Sequence, residues 1–393
     1  MGFVCVHNRN RDDYEVALAL HEAGLLEMLV TDIYRPDRLG GRVCGWFSRR
    51  HRAGLPAAKV RSDLVSFALQ ALAAVARLPG GRVFGIVDGR LARRAARLAR
   101  ARGSGLYAYS SYVDDRARET APVIDFEYHP HPALALEILG ADLERFPAVR
   151  WSFEREAAIA GTGSISQAWR RADAVVCASG MTRRSLEHAG CPSAKITVVP
   201  YACAPASGAV RTRPAGPCRF LFVGQGVQRK GLHHLALAWR AAALPEAELV
   251  VASYLIDPGI GPLLDQPGIT LLGRQDRAAL DALFASADVF VMPSLVEGFG
   301  LVYLEALAGG CHVIGTQNSG LPDLPLGPDA ATVVPPGDIA ALAAALTDLA
   351  ERKRSGRLDP AAIRAEGARW TWADFRGGIA RHAAAVLGQG RPV

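Results

Sequence analysis

Two glutamates, Glu297 and Glu305, lie at either end of a glycine-rich turn and a segment with helical spacing. Gly298 and Gly300 would let the backbone approach a ligand closely, and the first amides of the helix have no intrahelical acceptor. Such amides donate to hydroxyls or phosphates. Eight residues at helical rise place the two carboxylates about 12 Å apart, which suits two ends of one extended ligand. The structural alternative is that Glu297 caps the helix dipole and Glu305 is a solvated surface residue.

A second candidate group lies in the segment Gly-Gln-Gly-Val-Gln-Arg-Lys-Gly at residues 224–231. The segment follows a strand-like run, and Arg229 and Lys230 directly precede an amphipathic helix. Backbone amides beginning at Gly224, the helix dipole and two cations would together bind a diphosphate. A simple turn with two solvated cations would leave the same pattern. Further along, Arg274 follows another strand-like run, where it either covers a nucleotide base or pairs with a surface acid.

A third group, Glu127, His129 and His131, follows the strand-like residues 122–128. Ligands in open α/β sheets bind beyond the carboxyl ends of strands, and a histidine near neutrality can exchange a proton or hydrogen bond with a hydroxyl. Alternatively, both histidines bond to backbone on a loop stiffened by proline. The His-x-His spacing alone does not make a metal site, and no cysteine or carboxylate cluster completes a ligand set, so no metal is predicted.

The elements that must position these groups alternate between strand and helix, which predicts βαβ units and parallel sheets. Residues 204–217 are rich in Ala, Gly, Pro, Ser and Arg without periodicity, as expected of an interdomain connection. The predicted strands are 3–6, 26–31, 106–112, 122–128, a run after 172, 195–201, 219–223, 248–253, 269–272, 289–292 and 312–316. The predicted helices are 14–23, 62–102 with a break near 79–81, 141–171, 276–286, 301–308, 338–353 and an Ala-rich segment after 375.

Composition limits the classes of function. The 393 residues suit two to three domains, and the net charge of +7 comes mostly from arginine, which favours phosphate and carboxylate partners. No aromatic-interleaved basic run or zinc-finger spacing is present, so nucleic acid is not an expected partner. Seven cysteines without a CxxC pair predict free buried thiols in a reducing cytoplasm. Neither a signal peptide nor a membrane span is expected.

Residues 35–56 combine clustered arginines with Trp46 and Phe47. This segment either forms a local surface loop or contacts an anionic membrane or a charged acceptor. The expected location is therefore cytoplasmic, with peripheral contact at the inner membrane face left open by this segment. The sequence predicts no oligomeric state.

The longer segment PSLVEGFGLVYLEALAGGCHVI at residues 293–314 resembles the family-4 glycosyltransferases, whose signature is Glu, seven residues, Glu within PSLxEGFGLxxLEALAxGxxVI. The resemblance implies an α/β chain of GT-B fold, with two Rossmann-like doubly wound parallel-sheet domains facing across a cleft. The expected domains are 1–205 on the acceptor side, 206–375 binding the nucleotide sugar, and a helix at 376–393 that crosses back to the first domain.

By the same resemblance, Glu305 would hold the ribose hydroxyls of a nucleotide sugar. Glu297 would face the donor sugar and its phosphate side, together with the amides of Phe299, Gly300 and Leu301. His129 is the better match to an active-site histidine that the family places after a comparable strand. His129 and Glu297 are therefore the predicted catalytic residues.

Lys230 matches a phosphate-binding lysine of the family, within Arg-Lys-Gly before an amphipathic helix. The family usually has arginine directly after the first glycine, where this chain has Gln225, so Arg229 is expected to supply that charge. The remaining predicted substrate-binding residues are Gly224, Arg274, His131 and Glu127.

The resemblance implies retaining, metal-independent transfer of a sugar from a UDP- or GDP-linked donor to a hydroxyl of a glycan, lipid or small molecule. The nucleotide sugar is a substrate, and no cofactor is expected. A nucleotide-sugar 2-epimerase and a non-catalytic nucleotide-sugar-binding protein remain alternatives on the same fold. A dehydrogenase is disfavoured because the loop after the first strand lacks a glycine-rich dinucleotide fingerprint.

Overall fold

The computed structural model describes residues 1–35, 50–76, 80–113, 115–119, 122–161, 165–202 and 216–388. Within these ranges the chain forms two separate sheets whose described strand pairs are all parallel. Helices connect successive strands, so each sheet is the centre of an α/β domain. The predicted architecture of two Rossmann-like domains is confirmed.

The first sheet has the order β3-β2-β1-β4-β5-β6-β7. Its strands are β1 Phe3–Val6, β2 Leu26–Thr31, β3 Val60–Ser62, β4 Gly105–Tyr109, β5 Val123–Glu127, β6 Ala174–Cys177 and β7 Ile196–Val198. The helices of this half are α1 Glu15–Glu22, α2 Leu64–Val75, α3 Gly80–Arg102, α4 Pro132–Arg145, α5 Arg150–Ala160 and α6 Gly180–His188.

The second sheet has the order β10-β9-β8-β11-β12-β13. Its strands are β8 Cys218–Val223, β9 Ala247–Ala252, β10 Ile269–Leu272, β11 Val289–Val291, β12 His312–Thr316 and β13 Ala331–Val334. Its helices are α7 Leu232–Ala242, α8 Arg277–Ser286, α9 Leu301–Ala308, α10 Ile339–Arg354 and α11 Pro360–Gly367, and α12 Trp372–Gly388 follows. Strand order reverses beside β1 and beside β8, and such switch points open a crevice at the carboxyl ends of the strands.

Several predicted boundaries were wrong for local reasons. The helix predicted at 141–171 already begins at Pro132, because His131 accepts a hydrogen bond from the Ala133 amide and proline fits the first helical turn. That segment then breaks near Phe146 into α4 and α5. The strand predicted at 106–112 ends at Tyr109 and continues as a 3₁₀ turn. Sequence reasoning missed β3, β13 and α11, which are short elements.

Helix α12 lies against α1 of the first domain. Arg376 donates to Glu15 and Glu22 at 2.8 Å each, and Phe375 packs against the rings of Phe126 and Tyr201. The predicted boundary at 375/376 therefore falls inside one continuous helix. The boundary at 205/206, and most of the predicted connection 204–217, lie outside the described residues.

The expectations for the cysteines and for segment 35–56 can be compared with the structure only where the residues are described. The cysteines within the described ranges, Cys5, Cys177, Cys191, Cys218 and Cys311, are buried free thiols, whereas Cys44 and Cys203 lie outside those ranges. Most of segment 35–56, including Trp46 and Phe47, also lies outside them, but Arg50 and Arg52 form ion pairs within the first domain. Among the described residues, no helix has both the length and the apolar character required to cross a bilayer.

The packing of α12 generates a stability prediction. Phe375 is fully buried, so Phe375→Ala should lower the free energy of unfolding by about 3–5 kcal/mol through lost burial and a residual cavity. Denaturant unfolding measures this change. Phe84→Ala is the control, since that ring is 38% exposed and should cost much less. Equal, small losses for both variants would contradict the anchoring of α12 by Phe375.

Candidate functional site

The loop between β11 and α9 carries the carboxylate at the centre of the site. Glu297 is only 7% exposed and forms an ion pair with the Lys230 ammonium, while Arg229 Nη1 lies 3.6 Å from the same carboxylate oxygen. Burial alone would raise the pKa of Glu297, but Lys230 and then Arg229 outweigh it and lower the pKa to about 2. Glu297 is therefore ionised throughout the physiological range.

Burial has the opposite effect on the cation. It lowers the pKa of Lys230, and the Glu297 carboxylate offsets part of that shift. Arg229 connects this pair to the first domain, because its Nε donates to Glu156 on α5 at 3.2 Å. The two cations predicted from the sequence thus lie together, facing one carboxylate from each domain.

Backbone donors complete this side of the cleft. Gly300 adopts φ +90°, a left-handed conformation that favours glycine, and α9 begins at the next residue. Within the described residues, no acceptor is bonded to the amides of Phe299, Gly300 or Leu301. The Phe299 side chain itself is buried against Tyr201, at a ring distance of 5.7 Å. Only the backbone of Phe299 is therefore available to a ligand.

Gly298 lies against the backbone of the first domain, and its close approach to a ligand stays a prediction. A Cβ at this position would collide with the Tyr128 carbonyl oxygen and would lie 3.4 Å from the His129 Cα. The Gly298 carbonyl accepts hydrogen bonds from Ser179, which caps α6, and from Thr182 at 3.2 Å. Gly298 is thus one of the points where the backbones of the two domains meet.

Glu305 lies within α9, the helix that follows the loop of Glu297, and it faces a different cation. Its carboxylate pairs with Arg277, the first residue of α8, and remains partly exposed. The structure therefore keeps the two glutamates apart, as their spacing predicts. Arg277 was not identified from the sequence, because an arginine at the start of a helix gives no signal of a partner on another helix.

The predicted residues Gly224 and Arg274 line a separate cavity of about 370 Å³ together with Tyr254 and Gln275. The Arg274 guanidinium lies over the Tyr254 ring, 4.8 Å from its centroid, and Gln225 donates to the Tyr254 hydroxyl. Within the described residues no ion pair of Arg274 with an acidic side chain is found, and its contact with a nucleotide base stays a prediction. An arginine stacked on an aromatic ring offers a flat polar surface beside the glycine loop.

The first domain contributes Glu127 and His129 to a cavity of about 290 Å³ that residues of both domains line. Burial raises the pKa of Glu127 to about 7. Although the His129 ring is open to the cleft, the surrounding protein and then Arg229 lower its pKa to about 4. His129 is therefore a neutral imidazole near pH 7, able to donate one hydrogen bond and accept another.

His131 does not line this cavity. Its Nδ1 accepts from the Ala133 amide at 3.2 Å, and its own amide donates to Ser185 at 2.7 Å. These bonds correspond to the structural alternative considered for this histidine. A substrate contact by His131 stays a prediction.

The loop after β1 brings further residues to the cleft that the sequence did not single out. Asp12 accepts hydrogen bonds from Tyr109 and Tyr201 at 2.7 Å each, and Arg11 lies over the Tyr128 ring at 4.1 Å. Asp12, Asp13 and Tyr14 have φ values of +45°, +51° and +65°, which non-glycine residues rarely adopt. Bonds from Asp12 to two separate strand ends hold this loop in its strained conformation.

An interdomain clasp surrounds Asp142 on α4. The carboxylate is buried and contacts Gln228 Nε2 at 2.9 Å, His233 Nε2 at 3.0 Å and His234 Nε2 at 2.6 Å. All three partners belong to the second domain: Gln228 directly precedes Arg229, and the two histidines follow Lys230 in the first turn of α7. The clasp therefore fixes both ends of the cationic segment against the first domain.

The same cluster raises the question of a metal, since ligand atoms of Asp142, His233 and His234 lie within 4.8 Å of one another. A metal on both Nε2 atoms would leave each Nδ1 as a buried N–H donor, and neither Nδ1 has a partner among the described residues. If instead each Nε2 carries the proton, both rings donate to Asp142 and only acceptors remain unpaired. The donor set thus fits a hydrogen-bonded clasp better than a metal site.

The clasp generates a second prediction. Asp142→Ala would leave up to three buried donors without an acceptor, so the free energy of unfolding should fall by about 3 kcal/mol or more. Asp265→Ala, at an exposed position, is the control and should change it by less than about 0.5 kcal/mol. Thermal and denaturant unfolding measure both. A melting temperature that Zn²⁺ raises in the wild type but not in Asp142→Ala would contradict the hydrogen-bonded interpretation.

Comparison with known proteins agrees with this arrangement. Residues 217–352 match a family model described as "Glycosyl transferases group 1". The putative colanic acid biosynthesis glycosyltransferase WcaL of Salmonella typhimurium is 30% identical over 212 residues, covering 48% of this chain and 50% of WcaL. The chain thus spans about half the length of the curated relatives it matches.

Solved structures extend the similarity to the whole chain. The apo form of the lipopolysaccharide outer core galactosyltransferase WaaB superposes with a TM-score of 0.60 at 12% identity, covering 98% of this chain and 99% of WaaB. Anabaena HepE in complex with UDP and glucose gives a TM-score of 0.60 at 15% identity, covering 98% of this chain and all of HepE. The chain therefore has the GT-B fold, and the match to the group 1 glycosyl transferase model lies within its second domain.

Proposed function

We propose that this chain is a glycosyltransferase that moves a sugar from a nucleoside-diphosphate sugar to an acceptor hydroxyl, with retention and without a catalytic metal. The observation that carries the proposal is the convergence of Arg229, Lys230 and the unbonded amides at the start of α9 on Glu297, at the interdomain cleft. Fixed cations and helix-end amides are suited to a diphosphate. The group 1 domain supports the same reaction class.

The proposed donor site extends along the second domain. The diphosphate would lie near Arg229 and Lys230, the sugar near Glu297, and the ribose near Glu305. The base would lie toward the Gly224 loop and Arg274, where the second cavity is found. UDP- and GDP-linked sugars are the proposed donors, and HepE, whose structure holds UDP and glucose, makes UDP-glucose the first to test.

In the proposed mechanism, charge builds on the departing diphosphate, and Lys230, Arg229 and the α9 amides stabilise it from preset positions. The neutral His129 imidazole would hydrogen-bond the acceptor hydroxyl, and the ionised Glu297 would face the sugar ring. The interdomain contact between Ser179 and the Gly298 carbonyl would limit the access of water, which otherwise hydrolyses the donor. The proposal needs no metal because the chain has no Asp-x-Asp at a strand end to bridge phosphates.

Transfer is favoured over 2-epimerisation by the 290 Å³ cavity that His129 lines, since it offers room for a second substrate beside the proposed donor site. Incubation with a nucleotide sugar alone separates the two, because an isomerised nucleotide sugar would contradict transfer. The buried free cysteines fit a reducing compartment, and we place the reaction in the cytoplasm.

The donor site can be tested with a thermal-shift panel of UDP, GDP, ADP and dTDP sugars. The donor identified should bind at least tenfold more weakly to Lys230→Met and to Glu305→Ala, because one loses the diphosphate cation and the other the ribose acceptor. Lys59→Met is the matched control, since that lysine bonds to the Leu26 carbonyl within the first domain. Unchanged binding and turnover in both site variants would overturn the donor assignment.

His129 gives a separate prediction. His129→Ala should spare donor binding while transfer falls about 10²-fold or more, the usual range for a group that exchanges a proton or hydrogen bond. Because the pKa of His129 is lowered to about 4, its protonation is constant from pH 5.5 to 8. The ratio of wild-type to variant transfer rates should therefore be flat across that range.

His188→Ala, an exposed histidine on α6, is the control for the His129 variant and should keep wild-type rates. An equal loss of donor binding in His129→Ala would mean that this histidine is structural. A rate ratio that falls tenfold between pH 7.5 and pH 5.5 would contradict a neutral His129.

A further inference from the structure

The interdomain cavity of about 290 Å³ has a composition that bears on the acceptor. Residues 127–130 and residues of α4 and α5 form its first-domain wall, and Gln225, Val227, Arg229 and Val296 form the opposite wall. Its volume is near the lower end of small-molecule sites, which span about 300–1,000 Å³. The cavity therefore suits a ring or a short chain rather than several sugar residues.

Most of the helical wall consists of alkyl groups. The apolar lining residues are Pro130, Pro132, Ala135, Leu136, Leu139, Ile159, Ala160, Val227 and Val296. Leu139 and Val296 belong to a buried apolar cluster that spans the two domains. Ile159 is 59% exposed, so the apolar surface continues onto the solvent-facing part of α5.

Several polar groups of the cavity already have partners, and Glu127 itself is hydrogen-bonded with Ser110 and Asp125 at its inner side chain. Arg229 is paired with Glu156 and Glu297, and Ser152 is bonded to Asp257. Of the other titratable side chains, Arg155 lies over the Trp151 ring, whereas Glu127 and His129 lie at and just after the end of β5. A polar acceptor group is therefore accommodated at one place, beside Glu127 and His129.

A sugar that filled this cavity would bury hydroxyls against alkyl groups, which is unfavourable unless each hydroxyl finds a hydrogen-bond partner. Stacking cannot compensate well, since the aromatic ring in the lining, Tyr128, already carries the Arg11 guanidinium on one face. An apolar group in the same space would instead gain from burial.

We propose that the acceptor is an amphiphile, with its reactive hydroxyl beside Glu127 and His129 and an apolar ring or chain along Leu136 and Ile159. This inference rests on the proposed function and specifies the acceptor class that function leaves open. Both soluble aromatic glycosides and lipid-like alkyl glycosides share this chemistry. The transferred sugar forms a bond to the acceptor oxygen while its bond to the diphosphate breaks, and the acceptor proton leaves with the diphosphate.

The test uses three glucosides that differ only in the aglycone: methyl, phenyl and octyl β-D-glucopyranoside, the last below its micelle concentration. Calorimetric titration is done with the full chain, saturated with the nucleotide that the donor panel identifies. Phenyl or octyl glucoside should bind at least tenfold more tightly than methyl glucoside. Tighter binding of the phenyl compound indicates a soluble aromatic acceptor, and tighter binding of the octyl compound a lipid-like one.

Two variants locate the effect. Ala160→Phe, which narrows the cavity, and Leu136→Asn, which makes its wall polar, should each remove the preference for an apolar aglycone. Ala158→Phe, at an exposed position of the same helix, is the matched control and should retain it. Nucleotide binding should be unchanged in all three, which also shows that they are folded.

The outcomes separate the two proposals. If the wild type binds a nucleotide sugar but binds methyl, phenyl and octyl glucoside within threefold of one another, the amphiphile inference is overturned and the proposed function stands. If Ala160→Phe and Leu136→Asn keep the preference, apolar binding occurs elsewhere and the inference also fails. If no nucleotide binds the wild type, the proposed function itself fails.

Discussion

The buried carboxylate of Glu297 is the constraint on which the cleft depends. An ionised group at 7% exposure must have opposite charge next to it, and Lys230 and Arg229 supply that charge from a different loop. The segment that carries both cations must therefore stay fixed to the β11–α9 loop. Replacing Glu297 by a neutral residue would leave two cations facing each other. We therefore expect the positions of Lys230 and Arg229 to change together with the loss of the Glu297 charge.

Two groups of interdomain hydrogen bonds keep the segment with Arg229 and Lys230 in place. The Asp142 clasp holds the residues before and after the cations, and the Gly298 carbonyl is bonded to Ser179 and Thr182 on the other side of Glu297. Asp323 adds a hydrogen bond to the Gly180 amide at the start of α6. A movement that separated the two domains would break all of these hydrogen bonds. The position of Arg229 and Lys230 therefore depends on how closely the domains approach each other.

The fold was largely predictable because its signals are local. Apolar strand runs and the breaks at glycine and proline are identified from neighbouring residues. Arg229, Lys230 and the two glutamates were identified in the same way. Contacts between distant residues were not predictable. Asp142 is one acid on an ordinary helix, and Asp12 meets Tyr201 across 189 residues, so neither carries a local signal. Gly298 was noticed, but its real neighbour is the Tyr128 backbone.

The charge balance of the cleft explains why the α9 amides matter. Arg229 and Lys230 face Glu156 and Glu297, so the described cluster has no excess positive charge for a diphosphate. The residue after the first glycine of this loop is Gln225, an uncharged side chain whose amide donates to the Tyr254 hydroxyl. Fixed backbone dipoles require no counterion. The unbonded amides of Phe299, Gly300 and Leu301 can therefore attract a phosphate, whereas the charges of the two cations are already neutralised by carboxylates. A phosphate at these amides would compete with Glu297 for Lys230, which couples the arrival of a donor to the conformation of the glutamate facing its sugar.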